Sequence, residues 1–260
     1  MYKPLWVAAI LINIAVADSI AQDSVKTYMN SFEVNARYER YPKGPERTYT
    51  HFQYGRKIGA TDLFAKVMRY TLDKSAAYLF ETEAYVKSKK SGYAYFDAAW
   101  SRSEILPNYR LRAERFDNWK QFEYSLGIGG VKPHVFDVIP FLTGTIGYYF
   151  GDYFVYLRPT FSYVDDGFSK SLFAQGRRYF NKTDFLAVSL LRGADTGTNR
   201  NVNAIANTFG LDTYLARVNG QVKTGRYKIG AGFDYGGIFV PTRDEYMSFT
   251  GFDVFINREF

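Results

Sequence analysis

The chain of 260 residues contains no cysteine, so disulfides, thiolate metal sites and cysteine nucleophiles are excluded from its chemistry. Its two histidines, His51 and His134, are too few to suggest a histidine-rich metal cluster. The sequence also lacks a Gly-x-Ser-x-Gly nucleophile elbow, a phosphate-binding loop and the ligand spacing of an EF-hand. We therefore predict that the protein is not an enzyme and has no catalytic residues, no cofactor and no bound metal.

Linkers and concentrated charge are missing as well. No stretch rich in Pro, Gly and Ser divides the chain, so we expect one folded domain after the N-terminal segment. The formal net charge of +7 would suit an anionic partner, but the basic residues are dispersed and no nucleic-acid-binding motif accompanies them. We expect no nucleic acid partner, whereas acidic lipopolysaccharide or surface glycans are compatible with this charge.

Residues Met1 to Ala21 have the organisation of a cleavable secretion signal. A lysine precedes the apolar run Leu5 to Val16, and Ser19-Ile20-Ala21 is the small-x-small pattern that signal peptidase recognises. A retained membrane anchor is the alternative, but a spanning helix needs about 20 apolar residues and this run is shorter. We expect cleavage before Gln22, which leaves residues 22–260 as the folded domain.

The rest of the chain alternates apolar and polar residues. From Ser31 to Glu39, the apolar residues Phe32, Val34 and Ala36 alternate with polar ones, so a strand would carry them on one face. Similar segments recur along the whole chain. We predict strands near residues 31–39, 46–57, 61–72, 78–87, 94–100, 109–118, 121–128, 138–149, 153–165, 169–180, 183–192, 210–220, 226–235 and 247–260.

The spacing of these segments predicts an all-β antiparallel up-and-down barrel of about fourteen strands, with twelve or sixteen as alternatives. Fourteen strands leave about 17 residues for each strand and connection, which suits membrane crossings of about 9–11 residues. Long connections are expected at residues 193–210 and 237–246. Short turns are expected at Gly59-Ala60, Ser88 to Ser91, Asn118-Trp119, Gly151-Asp152, Asn181-Lys182 and Gln221 to Gly225. An outer-membrane barrel has short periplasmic turns and longer outer loops.

The charged face decides between a soluble barrel and a membrane barrel, because both alternate. A soluble barrel would not place many charges in its core, whereas a membrane barrel directs them into a wet interior and its apolar face toward lipid. The lumen-lining candidates are Glu33, Arg37, Glu81, Glu83, Asp97, Arg110, Arg112, Glu123, Arg226 and Lys228. We also expect His51 to form hydrogen bonds in the lumen and His134 to lie in an outer loop.

The C-terminal segment carries a second membrane signal. Phe252, Val254, Ile256 and Phe260 place apolar side chains on one strand face and an aromatic residue at the end, which is similar to the strand read by the outer-membrane insertion machinery. Arg258 departs from that signal, although an arginine near the interface can extend its charged end into water. We therefore expect the insertion machinery and outer-membrane lipids to be partners.

Several motifs in order resemble the YaiO family of bacterial outer-membrane proteins. These motifs are Leu106-Pro107, Arg115-Phe116, Glu123-Tyr124-Ser125-Leu126-Gly127, Gly147-Tyr148-Tyr149-Phe150-Gly151-Asp152-Tyr153 and Arg177-Arg178-Tyr179. The resemblance covers most of the chain after residue 21. It implies an outer-membrane barrel, sometimes found with repeat domains or beside polysaccharide-synthesis enzymes, and it assigns no catalytic residues.

Three functions remain open at this point. The first is a passive or partner-assisted conduit for small solutes or a surface polysaccharide, because the predicted interior is charged. The second is a structural anchor for an envelope complex or for exopolysaccharide-synthesis proteins. The third is a lipid-modifying barrel enzyme, whose catalytic groups would have to be assembled in space because no motif is visible. All three are located in the outer membrane.

Overall fold

The structure, a computed structural model, describes residues 29–42, 44–88, 91–134, 137–164, 167–194, 212–240 and 243–260. The expected secretion signal, its cleavage before Gln22 and nearly all of the expected loop at 193–210 lie outside these residues. No helix in the described part of the chain is long and apolar enough to cross a membrane. The strands are β1 (Asn30–Arg40), β2 (Arg47–Ile58), β3 (Thr61–Leu72), β4 (Ser75–Lys87), β5 (Tyr93–Trp100), β6 (Tyr109–Trp119), β7 (Phe122–Lys132), β8 (Ile139–Phe150), β9 (Tyr153–Val164), β10 (Gly167–Tyr179), β11 (Phe185–Ala194), β12 (Asp212–Thr224), β13 (Tyr227–Val240) and β14 (Glu245–Glu259).

These fourteen strands form one closed antiparallel barrel in which each strand pairs with its neighbours in sequence. β1 closes the barrel against β14, with Glu33 opposite Asn257 and Arg37 opposite Asp253. The predicted fold class and the preferred strand number are therefore confirmed. Closure pairs both edge strands, so no row of backbone groups is left open to lipid.

Tight turns join many of the strands at one end of the barrel. Gly59, Gly151 and Gly225 begin two-residue turns with φ of 58°, 55° and 57°, in the region where glycine has no steric penalty. Lys120 takes the same position in the turn between β6 and β7, with φ of 56°. We call this the turn end; it also holds Asn30 and Phe260, whose backbones are hydrogen-bonded to each other. The opposite end is called the loop end.

Two of the expected turns lie one or more residues too early. β6 continues through Trp119, which pairs with Phe122, so the turn is Lys120-Gln121 and not Asn118-Trp119. β12 continues to Thr224, and its turn contains only Gly225 and Arg226.

The expected long connection at 237–246 is wrong for a different reason. β13 runs to Val240 and β14 begins at Glu245, which leaves a short connection. The predicted strand ended at residue 235, yet Gly236 and Gly237 lie within β13, where aromatic rings of neighbouring strands occupy the space of their missing side chains. A Cβ on Gly236 would lie 2.7 Å from the Phe249 ring, and one on Gly237 would lie 2.5 Å from the Tyr214 ring.

The alternation produces two chemically different faces of the wall. The outer face carries large apolar side chains such as Leu126 and Ile146, which are 65% and 68% exposed. The inner face carries charged side chains such as Arg37 and Asp97, which are buried by their neighbours on the wall. An exposed apolar face and a buried charged face reverse the arrangement of a soluble protein.

The inner face is not uniformly polar, whereas the sequence analysis predicted a charged, wet lumen. The half of the inner face nearest the loop end, called the loop half, holds two apolar clusters, defined here as cluster A and cluster B. Cluster A contains Tyr41, Phe173, Leu191, Leu215, Ile238 and Phe249, and cluster B contains Tyr49, Met68, Tyr70, Ala77, Leu79, Ala99 and Leu106. Leu106 comes from the connection between β5 and β6, so part of this loop folds into the barrel.

Candidate functional site

The candidate site is the inner wall of the barrel, where nine of the ten lumen-lining candidates project. Arg37, Glu81, Asp97 and Arg112 are buried there, and Glu33, Glu83, Arg110, Glu123 and Lys228 are half-buried. Arg226 is the exception and corrects the sequence interpretation. It is exposed in the turn between β12 and β13, because the strand alternation that assigned it begins only after the turn.

One group of inner-wall charges joins the strands on which the barrel closes. We call Arg37, Glu39, Arg217, Asp234 and Asp253 the seam cluster. Arg37 Nη2 lies 2.7 Å from Glu39 Oε1 and 2.6 Å from Asp234 Oδ2. Arg217 lies 2.8 Å from Asp234 and 2.6 Å from Asp253. The cluster therefore couples β1 with β12, β13 and β14 through charge-assisted hydrogen bonds.

Two glycines let the seam cluster lie flat on the wall. A Cβ on Gly251 would lie 2.1 Å from Asp234 Oδ2, and a Cβ on Gly232 would lie 2.5 Å from Arg217 Nη2. No real Cβ approaches other atoms so closely, so any larger residue at these positions would lift the ion pairs off the backbone. Because the glycines are present, the long charged side chains run sideways along the wall.

A second group of charges lies on β3 to β6, away from the seam. Lys66 Nζ is 2.6 Å from Glu81 and 3.3 Å from Glu83. Arg110 is 2.7 Å from Glu81 and 2.9 Å from Asp97. These five side chains form a continuous network in which each charge has an opposite neighbour, so burial of the charges is compensated.

A third group links β6 with β9 across two intervening strands. Arg112 bonds to Glu114, and Arg158 Nη2 lies 2.6 Å from the same carboxylate. Ser125 on β7 donates a hydrogen bond of 2.5 Å to the other oxygen of Glu114. Gly127 makes this long reach possible, because a Cβ there would lie 2.7 Å from the Glu114 side chain.

Inward-facing phenylalanine rings lie flat on the wall in the same way. Each covers a glycine on a neighbouring strand, at 2.2 to 2.7 Å from the position that a Cβ would take. The pairs are Phe64 on Gly55, Phe141 on Gly129, Phe154 on Gly147, Phe255 on Gly230 and Phe249 on Gly236. Aromatic rings that cover glycines extend along the sheet, so they take less space from the barrel axis.

The two histidines have separate surroundings. His51 Nε2 lies 3.1 Å from Glu33 Oε1 on the inner wall, and Asn257 donates to the other oxygen of Glu33 at 3.2 Å. His134 is exposed at the loop end, where its Nδ1 lies 3.5 Å from the side-chain oxygen of Asn108. The lumenal position of His51 matches the expectation, and His134 lies in a loop as expected, while the side of the membrane on which that loop lies stays a prediction.

Several charged inner-wall residues were absent from the sequence-based candidates, among them Glu39, Lys66, Arg158 and Arg217. Lys66 was hidden because its inward neighbours Phe64, Met68 and Tyr70 are apolar, so β3 has no polar face in the sequence. Arg158 and Arg217 follow the alternation, and stricter counting along β9 and β12 would have found them. Their partners are identifiable only from the pairing register.

The C-terminal residues of the expected insertion signal all face outward. Phe252 and Phe260 are 52% and 48% exposed, and Val254 and Ile256 lie on the same outer face between them. Arg258 shares this face, with its guanidinium 5.6 Å from the centre of the Tyr227 ring. The apolar stripe is thus continuous apart from one arginine that rests on an aromatic ring.

The described inner wall is built for charge complementarity. Arginine donates hydrogen bonds and does not release its proton, so carboxylates held by arginine are anchored and poorly suited to act as bases or nucleophiles. Inside the barrel, the wall can present alternating charges and aromatic faces to a solute. It can therefore guide or bind a polar solute.

The sequence matches the family described as "YaiO membrane beta barrel domain" over residues 29–196, which is more than half of the chain. No curated protein matches. Among solved structures, the fold resembles the "CymD monoaromatic hydrocarbon channel", with a TM-score of 0.58 and 6% identity over 90% of this chain and 89% of that chain. It also resembles the outer membrane protein Omp33 of Acinetobacter baumannii, with a TM-score of 0.54 and 12% identity over 90% of this chain and 98% of that chain. The protein is therefore located in the outer membrane, in agreement with the sequence analysis.

Proposed function

Because the chain belongs to the YaiO family of outer-membrane β-barrels, we propose that it is a conduit for small polar solutes or for a surface polysaccharide. The observation that carries this proposal is the flat inner lining, in which ion pairs and phenylalanine rings lie over glycines. Side chains that extend along the wall leave space on the barrel axis, whereas side chains that cross the lumen would fill it.

The number of strands supports the same function. Barrels of eight strands are filled by their own side chains, and those of sixteen or more strands leave a channel. For a circular barrel of fourteen strands, a strand spacing of ~4.8 Å and a tilt of ~40° give a wall diameter of roughly 28 Å. A flat lining about 5 Å thick on each side leaves an axial passage.

We propose that the constriction of this conduit lies in the loop half, where clusters A and B line the inner wall. Apolar constrictions restrict water and ions more strongly than polar ones of equal width. The half of the lumen nearest the turn end, called the turn half, carries half-buried charges that include Glu33, Glu123 and Lys228. A solute that enters at the turn end would therefore meet these half-buried charges before the apolar constriction.

Release of trapped solutes from vesicles tests the conduit. We expect vesicles with the purified protein to release small sugars faster than empty vesicles. Leu215→Ala, which shortens a side chain of cluster A, should increase the rate, because it widens the constriction. Val218→Ala is the matched control, since Val218 lies on the same strand but is 47% exposed on the outer face. A wild-type protein that releases nothing, together with a Leu215→Ala variant that releases nothing, would exclude the open conduit.

A second candidate function is a structural anchor for an envelope or exopolysaccharide-synthesis complex, and the apolar clusters favour it. If clusters A and B close the loop half completely, the barrel anchors its partners in the membrane and conducts no solutes. Co-purification of synthesis proteins with a non-conducting barrel would support this function. We also propose that the protein is not an enzyme. Mass spectrometry that shows altered lipids in cells lacking the gene would contradict that proposal.

A further inference from the structure

The turn half of the lumen carries a group of inward-facing aromatic residues on β5 to β11. These residues, which we call the aromatic mouth, are Tyr93, Phe116, Tyr149, Phe154, Tyr179 and Phe185. Pairing across the strands brings them to the same end of the barrel, near the turns that begin at Gly151 and Phe180. The flat lining of the wall does not by itself require aromatic residues here.

Stacking holds several of these rings in fixed orientations. Tyr93 and Phe116 are stacked with centres 4.5 Å apart, and Tyr149 and Phe154 are stacked with centres 4.1 Å apart. Tyr149 remains 38% exposed although it faces inward, so part of its ring is open to the lumen. A preoriented, exposed ring face is suited to bind a flat apolar surface of a ligand.

Two charged residues stand among these rings. Glu123 projects from β7 opposite Gly147, where the Phe154 ring takes the place of a side chain at 2.6 Å from the Cβ position. Arg177 lies 4.5 Å from the centre of the Phe185 ring. The Arg177 guanidinium donates to the Tyr179 hydroxyl and to Gln175 Oε1, each at 2.9 Å.

Glu123 differs from the other carboxylates of the wall. Within the described part of the chain it accepts no hydrogen bond, whereas Glu81 and Glu114 are each held by arginine. Glu123 is only half-buried and its oxygens are not among the fully buried, unpartnered atoms of the described residues, so they are accessible from the lumen to water or to a ligand. Glu123 therefore has unused capacity to accept hydrogen bonds from a ligand.

We propose that the aromatic mouth binds a pyranose ring of an oligosaccharide. A pyranose has an apolar face of C–H groups, which fits the Tyr149 ring, and a rim of hydroxyl groups. Glu123 accepts hydrogen bonds from those hydroxyls, and Arg177 provides donors on the same side of the lumen. This inference deepens the proposed conduit by naming its substrate class, and it rests on that function for its biological role.

Two other ligand classes fit the mouth less well. An organic cation would gain from Glu123 and the ring faces, but Arg177 would repel it. An apolar aromatic solute would cover Glu123 without offering it a hydrogen bond, which costs free energy. Only a ligand with both an apolar face and hydroxyl groups satisfies the rings and the carboxylate together.

Calorimetric titration of the full-length protein in detergent tests the site independently of transport. The probes are maltohexaose, cellohexaose and chitohexaose, with polyethylene glycol of similar length as a non-stacking control and benzyltrimethylammonium as the cation. We expect at least one hexasaccharide to bind and Tyr149→Leu to weaken it by about fivefold or more, by analogy with other ring-stacking contacts. Tyr148→Leu is the matched control, because Tyr148 is 37% exposed on the outer face, next in sequence. It should leave binding unchanged.

The carboxylate variant separates the ligand classes. Glu123→Gln keeps an acceptor for sugar hydroxyls but removes the negative charge, so sugar binding should fall less than in Tyr149→Leu. Absence of hexasaccharide binding at millimolar concentration would overturn the inference, as would binding that Tyr149→Leu leaves intact. Binding of the cation alone would also overturn it. Sugar binding without release from vesicles would instead refute the conduit and keep the site.

Discussion

Phe233 offers a sharp test of which face of the wall meets lipid. It lies on β13 between Val218 of β12 and Phe252 of β14, and it is 54% exposed on the outer face. It is six residues from Tyr227, where the strand begins, so at a rise of ~3.4 Å per residue and a tilt of ~40° it lies about 15 Å from the turn end. That position is near the middle of an apolar band about 25 Å tall.

Substitution of arginine for Phe233 would place a charge near the bilayer midplane. We expect Phe233→Arg to destabilise the folded barrel by ~2–4 kcal/mol, because an arginine there must be desolvated or must deform the bilayer. Ile229 faces the same way but is only two residues from the strand start, at a depth of about 5 Å. Ile229→Arg should therefore cost no more than ~1 kcal/mol.

A third variant changes charge on the opposite face. Lys228 projects inward and lies 2.5 Å from Glu259, which Lys223 also binds at 2.6 Å. Lys228→Glu removes one of these two contacts in a half-buried, polar part of the lumen. We expect a loss of ~1 kcal/mol or less, since Lys223 remains to neutralise Glu259.

Reversible refolding into lipid vesicles under a denaturant gradient provides the measurement. Trp119 is 61% exposed on the outer face, so its fluorescence reports insertion into lipid. The expected order of destabilisation is Phe233→Arg, then Ile229→Arg and Lys228→Glu. A Lys228→Glu variant less stable than Phe233→Arg would refute the assignment of the two faces, and equal effects at Phe233 and Ile229 would refute the depth argument.

Three further predictions concern the seam, a turn and the orientation. Asp234→Asn removes the carboxylate that binds both Arg37 and Arg217, and it should lower the free energy of unfolding by about 3 kcal/mol. Asp117→Asn, which breaks an exposed ion pair, should change the free energy of unfolding little. Equal denaturation midpoints for the two variants would contradict the role of the seam cluster. Lys120→Gly should stabilise the barrel by about 0.5–1 kcal/mol, because Lys120 has a φ of 56°, which is unfavourable for a residue with a Cβ but not for glycine. A lower melting temperature of this variant would contradict the prediction. A cysteine at Glu104, in the longer connection between β5 and β6 at the loop end, should react with an impermeant reagent on intact cells, and one at Asn181 of the turn end should not, because longer loops face outward and shorter turns face the periplasm. The opposite pattern would reverse the orientation.

Much of the architecture followed from alternation within single segments. β1 shows why: Phe32, Val34 and Ala36 face outward and Glu33 and Arg37 inward, so its sequence alone assigns both faces. Strand number follows from repeating this pattern along the chain. The two-residue turns at Gly59 and Gly151 were also visible, because glycine adopts positive φ without cost.

Other features depend on contacts between strands, which alternation within one strand does not reveal. Gly236 resembles a loop residue until the Phe249 ring is seen to cover it. Lys66 sits in an apolar row of β3, and only its register opposite Glu81 explains its position. The prediction that Arg226 lines the lumen was wrong for a related reason, because the alternation in the sequence extends beyond the start of β13 into the preceding turn. The aromatic mouth likewise combines residues from six strands.

The central claim is that a passage runs along the barrel axis, and single-channel recording in planar bilayers tests it most directly. We predict that the purified wild-type protein produces discrete conductance steps, and that Leu215→Ala produces larger steps because it widens the apolar constriction of cluster A. Bilayers that contain correctly folded wild-type and Leu215→Ala protein, yet show no steps with either, would contradict the account.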